Sequence, residues 1–265
     1  MRIRQTPGAT VGLSYVDLAT GTSLDLNGDT AFHAASTMKV PVMIELFRQV
    51  DRGELRLDQG VVLRNEFKSI VDGSPYSLSA GDDSDSLVYT WIGTAVPVRE
   101  LLERMIVRSS NLATNALIEL VDARKANATA KALGARDIHV LRGVEDSKAF
   151  AQGMNNRTTA RDLAALMAAI EQGRAASPEN TQRMRDILLR QEFNDEIPAG
   201  LPAGTRVAHK TGSITAHRHD AAIVYPKDGT PYVLVVLTRG VRDVTLSRAL
   251  IADLSRIIWD ARAGP

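Results

Sequence analysis

The chain has 265 residues, of which 44% are hydrophobic and 24% charged, a composition typical of globular proteins with a sizeable core. Its 32 basic and 31 acidic side chains leave a formal charge of +1, which argues against nucleic acid or an anionic membrane as a partner. The absence of cysteine excludes disulfides, thiol catalysis and thiolate metal sites.

The first predicted element is an antiparallel hairpin near the N-terminus. TVGLSYVD alternates apolar and polar residues, and SLDLNGD supplies a partner strand after a turn. The N-terminal residues contain no apolar stretch of signal-peptide length, and no window approaches the roughly 18 apolar residues of a membrane span. These patterns predict a cytoplasmic protein or a mature form whose signal has been removed.

The middle of the chain, from Ser36 to about residue 190, has mainly helical periodicity. Its most loop-like stretch is 72–86. Helix starts are predicted at Pro97, at Thr159 with Asp162 as a capping box, and at Ser177 before Pro178.

After residue 200 the pattern returns to strands. DAAIVYP and PYVLVVLTRG flank KDGT, which predicts a hairpin, and the last segment predicts a helix that covers one face of the sheet. The economical architecture is α/β, with an antiparallel sheet built from both chain termini and an inserted helical domain. The predicted domains are 1–35 with 191–265 for the sheet, and 36–190 for the helices.

HAASTMKV, at 33–40, places Ser36 and Lys39 on one helix face. A serine hydroxyl needs a base within hydrogen-bond reach, and a lysine amine can serve if burial or other cations lower its pKa. The alternative is that Ser36 or Thr37 caps an ordinary helix and Lys39 is solvated. Pro41 indicates an irregular first turn in either case.

Two further motifs bear on this choice. RSSN, at 108–111, lies between two predicted helices, and HKTGS, at 209–213, begins a predicted strand. An S-x-x-K motif, an S-x-N motif about 70 residues later and a K-T-G motif about a hundred after that form the set typical of class A β-lactamases and penicillin-binding proteins. Over nearly its whole length the chain resembles this family of penicillin-recognising serine hydrolases.

The resemblance implies a two-domain β-lactamase-like fold, with the active site in the cleft between the domains, and it implies catalytic roles. Ser36 would be the acylated nucleophile and Lys39 part of its activation, while Ser109 would pass a proton to the leaving nitrogen. Lys210 would raise the local positive field.

The same resemblance implies substrate-binding roles. Asn111 would hold the side-chain amide of the substrate, and Lys210, Thr211 and Ser213 would bind its carboxylate. The backbone N–H groups of Ser36 and Ser213 would form the oxyanion hole. Ser109 and Asn111 could instead only cap the next helix. The substrate would approach along the strand at Gly212, although this residue could also be an ordinary strand glycine. Arg218 would assist carboxylate binding, or alternatively would be solvated.

LRGVEDSKAF, followed by RTTARDL, resembles the Ω-loop of the family. Glu145 is therefore the predicted general base, acting through a water that hydrolyses the acyl-enzyme, and Asp146 is a weaker competitor. The alternative is that Glu145 is a surface carboxylate.

Two positions depart from the family pattern. Ser110 stands where an aspartate usually supports the loop, and Ala149 stands where an asparagine usually holds the water. Asn155 or Asn156 are candidates to replace that asparagine. These departures would slow hydrolysis.

The predicted function is a serine β-lactamase that acts on small-molecule β-lactams. The alternatives are a related D-alanyl-D-alanine peptidase or esterase, and a non-catalytic penicillin-binding or sensor domain that stays acylated. No cofactor and no metal are expected, although HRHD at 217–220 is a weak metal candidate. His33 and His209 are expected to be structural. By resemblance the protein would be periplasmic or secreted, and a monomer.

Overall fold

The computed structural model describes residues 6–263, with the side chain of residue 263 left aside. The five long and medium strands are β1 (Thr10–Asp17), β2 (Ser23–Leu26), β9 (Arg206–Ile214), β10 (His217–Tyr225) and β11 (Tyr232–Arg239). The short strands are β3 (Phe32–His33), β4 (Gly60–Val62), β5 (Phe67–Lys68), β6 (Pro75–Tyr76), β7 (Ala95–Pro97) and β8 (Arg157–Thr158).

The α-helices are α1 (Lys39–Asp51), α2 (Val98–Val107), α3 (Asn111–Val121), α4 (Ala123–Ala132), α5 (Ser147–Ala151), α6 (Ala160–Glu171), α7 (Pro178–Leu188) and α8 (Val244–Ala263). Short 3-10 helices span Ala35–Met38, Ser86–Trp91 and Pro198–Gly200. The capping residues agree with the predicted starts, since Thr159 accepts from the N–H of Asp162 and Ser177 caps α7 with Pro178 in its first turn.

The antiparallel sheet combines both ends of the chain, which confirms the predicted fold class. Its strand order is β2-β1-β11-β10-β9. Strand β1 pairs with β11 over its full length, with Leu13 opposite Val236. Strand β9 lies at one edge, so its outer side is free to receive an extended ligand.

Both faces of the sheet are buried. Successive side chains of β11 belong alternately to two apolar clusters, one on each face of the sheet. Leu234 and Val236 point toward α8, while Val233 and Val235 point toward the helices of the middle region. Helix α6 packs directly against β1, β10 and β11.

The division at residues 35 and 190 stays a prediction, because α6 lies within 36–190 yet packs on the sheet. Residues 1–5, 264 and 265 are outside the described residues. The prediction about an N-terminal signal and the outer bounds of the predicted sheet domain fall partly on them. Within 6–263, no helix combines the length and apolar character needed to cross a bilayer.

Candidate active site

Ser36 lies in a tight turn directly before α1. The turn is the 3-10 helix Ala35–Met38, in which Ala35 has a left-handed φ of 46°. The hydroxyl and the N–H of Thr37 both donate to Ala34 O. Pro41 is the third residue of α1, where its missing N–H would have had no partner in the helix, and the irregular turn matches the prediction.

Lys39 is fully buried, and its amine points into the site. Its Nζ donates to Ser109 O at 2.7 Å, to Ser109 Oγ at 3.1 Å and to Asn111 Oδ1 at 3.2 Å. Burial lowers the pKa of Lys39 well below its usual value, and repulsion by Lys210 lowers it further, against the opposing attraction of two carboxylates. The solvated-lysine alternative is therefore wrong.

The hydroxyl of Ser109 lies between two amines. Lys39 Nζ approaches it at 3.1 Å and Lys210 Nζ at 3.0 Å. Lys210 also donates to Thr211 O at 2.8 Å, and burial lowers the pKa of its amine to about 7. The geometry thus joins all three motifs through one hydroxyl group.

The segment 108–111 connects α2 and α3, as predicted. Ser110 caps α3 by accepting from Ala113 N at 3.2 Å. Asp83, from the loop after β6, accepts from the backbone N–H groups of Asn111 and Leu112, each at 2.9 Å. Sequence reasoning missed Asp83, although the acidic run 82–85 and the missing aspartate at 110 were signals that could have found it.

The K-T-G motif lies in the second half of β9, which begins at Arg206 and not at His209 as predicted. A Cβ placed on Gly212 would lie only 3.1 Å from both Ser36 N and Thr37 N. A larger residue at 212 would push the nucleophile turn away by a few tenths of an ångström, so glycine favours this close approach.

Arg218 lies on β10 directly opposite Ser213 of β9, on the neighbouring strand as expected. It is not free in solvent, because its Nη1 donates to Glu196 Oε1 at 2.9 Å and its Nε to Ser247 Oγ at 3.1 Å. Glu196 is buried, and burial raises the pKa of its carboxyl. No sequence pattern pointed to Glu196.

Glu145 is exposed and has a left-handed φ of 64°. Its Oε1 accepts a hydrogen bond from Asn111 Nδ2 at 2.7 Å, which connects the Ω-loop to the second motif. Partial burial raises the pKa of the Glu145 carboxyl, against the opposing hydrogen bond from Asn111.

The buried carboxylate of Asp146 is engaged by three hydrogen bonds. It accepts from Ser69 Oγ at 2.9 Å, from Ile70 N at 3.0 Å and, as the cap of α5, from Ala149 N at 3.0 Å. These hydrogen bonds hold the pKa of its carboxyl below the usual value despite burial. These partners favour Glu145 over Asp146 as the base, and the choice between them stays a prediction.

Asn155 and Asn156 are the candidates to do the work of the asparagine that position 149 lacks, but their side chains are hydrogen-bonded to other residues. Asn155 Oδ1 accepts from Arg142 Nη2 at 3.1 Å. Asn156 Oδ1 accepts from Leu141 N at 2.8 Å and its Nδ2 donates to Arg142 O at 3.0 Å. Both side chains bind residues of the Ω-loop, and Ala149, within the same loop, is buried.

The site opens into two adjoining cavities that share Ser36, Asn111 and Ser213. The larger, about 490 Å³, contains Glu145, and the smaller, about 260 Å³, contains Ser109, Thr211 and Arg218. A separate cavity of about 650 Å³ between α1, α2 and α7 contains no motif residue.

The histidines have structural contacts. His33 Nδ1 accepts from Ala35 N at 3.0 Å, and His219 Nε2 lies 2.8 Å from His33 O. His209 Nδ1 lies 3.0 Å from Asp220 Oδ1 in the core. Across residues 6–263, no group of three or more histidine, aspartate or glutamate side chains is arranged to hold a metal.

A family model described as the Beta-lactamase enzyme family matches residues 2–262. Beta-lactamase AST-1 of Nocardia asteroides is 29% identical over 264 residues, which cover 98% of this chain and 81% of that protein.

Two solved proteins are similar at 31% identity. PBP-A has a TM-score of 0.85, with 99% of this chain and 93% of the other covered, and a mutant of PBP-A is titled an acyl-enzyme complex with penicillin G. A beta-lactamase from Sphaerobacter thermophilus has a TM-score of 0.83, with 97% and 92% covered. The chain therefore belongs to the beta-lactamase enzyme family and is a serine hydrolase of the class A type.

Proposed function

We propose that the protein is a serine β-lactamase that hydrolyses β-lactams through a covalent acyl-enzyme on Ser36, with Glu145 as the base for deacylation. The observation that carries this proposal is the hydrogen bond of 2.7 Å from Asn111 to Glu145, on the wall of the cavity that Ser36 lines. This hydrogen bond supports a role for the Glu145 carboxylate in the reaction, because Asn111 lines the same cavity.

Acylation begins with the Ser36 hydroxyl. The lowered pKa makes the neutral form of the Lys39 amine easier to reach, and that form can accept the hydroxyl proton as the oxygen attacks the lactam carbonyl. The N–H groups of Ser36 and Ser213 would stabilise the oxyanion, and the close approach at Gly212 supports their convergence.

The lactam C–N bond then breaks, and the leaving nitrogen needs a proton. Ser109 is suited to deliver it because its hydroxyl touches both Lys39 and Lys210. The proton taken from Ser36 can pass from Lys39 through Ser109 to the nitrogen, so no further acid is needed.

The substrate carboxylate belongs in the smaller cavity. Thr211 and Arg218 line it beside Ser213, and Lys210 lies directly behind Ser109. Glu196 neutralises part of the charge of Arg218, so Lys210 supplies much of the attraction for the carboxylate.

Deacylation requires a water activated by Glu145. The carboxylate takes one water proton, the resulting hydroxide attacks the ester carbon, and the Ser36 oxygen leaves and regains a proton. The raised pKa of Glu145 strengthens it as a base, provided the pH is high enough to ionise it.

A second candidate is a penicillin-binding peptidase that releases β-lactams slowly. Ala149 offers no polar atom to hold the water, and Asn155 and Asn156 are engaged with Arg142. The similarity to PBP-A supports the same reading.

Turnover of a chromogenic cephalosporin, combined with intact-protein mass spectrometry, separates the candidates. Steady multiple turnovers are expected from a β-lactamase, and a single burst with a lasting adduct from a penicillin-binding protein. If neither turnover nor an adduct is observed, no β-lactam function survives.

Glu145→Gln tests the base itself. This variant should acylate normally and accumulate adduct, with turnover reduced about 10²- to 10⁴-fold. Glu179→Gln is the matched control, because Glu179 is an exposed carboxylate on α7 that pairs with Arg183. Wild-type turnover in Glu145→Gln would remove Glu145 from the mechanism.

The proposal extends to a monomer acting in the periplasm or outside the cell, with β-lactams as its small-molecule partners. The predicted sheet and helical domains would form the two walls of the cleft.

A further inference from the structure

Asp83 holds the start of α3 in place of the carboxylate that residue 110 lacks. Its Oδ2 accepts from Asn111 N at 2.9 Å and Leu112 N at 2.9 Å, and Ser110 Oγ donates to it at 3.3 Å. Three donors in successive residues thus converge on one oxygen of a buried carboxylate from a distant loop.

This anchoring has a physical reason. The first N–H groups of a helix have no partner within the helix, and a carboxylate there is stabilised by hydrogen bonds and by the helix dipole. Ser110 serves only one of them, Ala113 N, through its own hydroxyl. Without Asp83, one buried and one partly buried N–H group would lose their acceptor.

Of the residues that Asp83 contacts, Asn111 lies on the wall of the site, and Ser109 directly precedes them in the chain. Ser109 has a left-handed φ of 59°, a conformation that the surrounding contacts must maintain. Asn111 contacts both Lys39 and Glu145. A small shift of the 109–111 backbone would therefore misplace a proton relay and a substrate ligand together.

We propose that Asp83 is a positioning residue for the reaction, which supports Ser109 and Asn111 from the 79–85 loop and replaces the aspartate expected at position 110. This inference rests on the proposed function insofar as it concerns rate. The anchoring of α3 is independent of it.

The test is a relocation of the carboxylate. Asp83→Ala should lower the rate of acylation by a fluorescent penicillin at least about tenfold. The double variant Asp83→Ala with Ser110→Asp moves the carboxylate onto α3 itself and should recover most of that rate. Asp85→Asn is the matched control, since Asp85 is buried in the same loop but pairs with Arg104 on α2.

Hydrogen–deuterium exchange of peptides covering 108–114 gives the second readout. Exchange should rise in Asp83→Ala, stay at the wild-type level in Asp85→Asn, and fall again in the double variant. A double variant no better than Asp83→Ala, or an equal loss in Asp85→Asn, would overturn the proposal. If wild-type protein is never acylated, the proposed function fails, while exchange still decides whether Asp83 anchors α3.

Discussion

Two buried amines face one serine hydroxyl in this site, and their protonation decides what the site can bind. Burial is the main cause of the lowered pKa of both Lys39 and Lys210. The carboxylates of Asp220 and Glu196 partly offset it for Lys210, whose pKa is about 7. Lys210 is therefore only partly charged at neutral pH, and a bound carboxylate would favour its protonated form.

The pKa of about 7 for Lys210 predicts a pH-dependent affinity for substrates that carry a carboxylate. As the pH rises above about 7, free enzyme loses the Lys210 proton and with it the attraction for the carboxylate, so KM for a penicillin should increase. KM for the methyl ester of the same penicillin, which lacks the charge, should change little. Steady-state kinetics from pH 6 to 9 would refute the assignment if both substrates behaved alike.

At the scale of elements, the Ω-loop depends on Asp146 as the cap of α5. The carboxylate joins α5 to residues 69 and 70, and its loss would leave two buried donors and one partly buried donor without their acceptor. Asp146→Ala should therefore destabilise the protein by about 2 kcal/mol or more, measured by urea unfolding. Asp72→Ala removes a nearby exposed carboxylate that pairs with Lys148 and should cost much less. Equal stability of the two variants would contradict the role of Asp146.

Elements with a periodic pattern were predictable from sequence, and contacts between loops were not. The alternation in β1 and the caps at Thr159 and Ser177 depend on residues close together in sequence. The first strand and these two helices could therefore be predicted from the sequence. The three motifs likewise predicted a common site because their residue types are chemically distinctive. Asp83 and Glu196 lie in segments without periodicity, and their partners are remote in sequence, so only the folded chain reveals them.

At the scale of the whole molecule, the active site depends on close packing between the sheet and the helical region. Gly212 on β9 lies against the nucleophile turn, and α6 packs on the sheet. Side chains of β11 contribute alternately to both apolar clusters. Each half therefore buries surface that the other half covers, which couples their stability.

This coupling predicts a single cooperative unfolding transition, and the two tryptophans can test it. Trp91 packs on the helical side, with the Arg104 guanidinium 5.3 Å from its ring centroid, while Trp259 belongs to α8 and packs against the other cluster. In urea, the fluorescence midpoint of Trp91→Phe and that of Trp259→Phe should each equal the same variant's own midpoint by circular dichroism. Separated midpoints within either variant would mean that the halves unfold independently, as two domains joined only at the cleft.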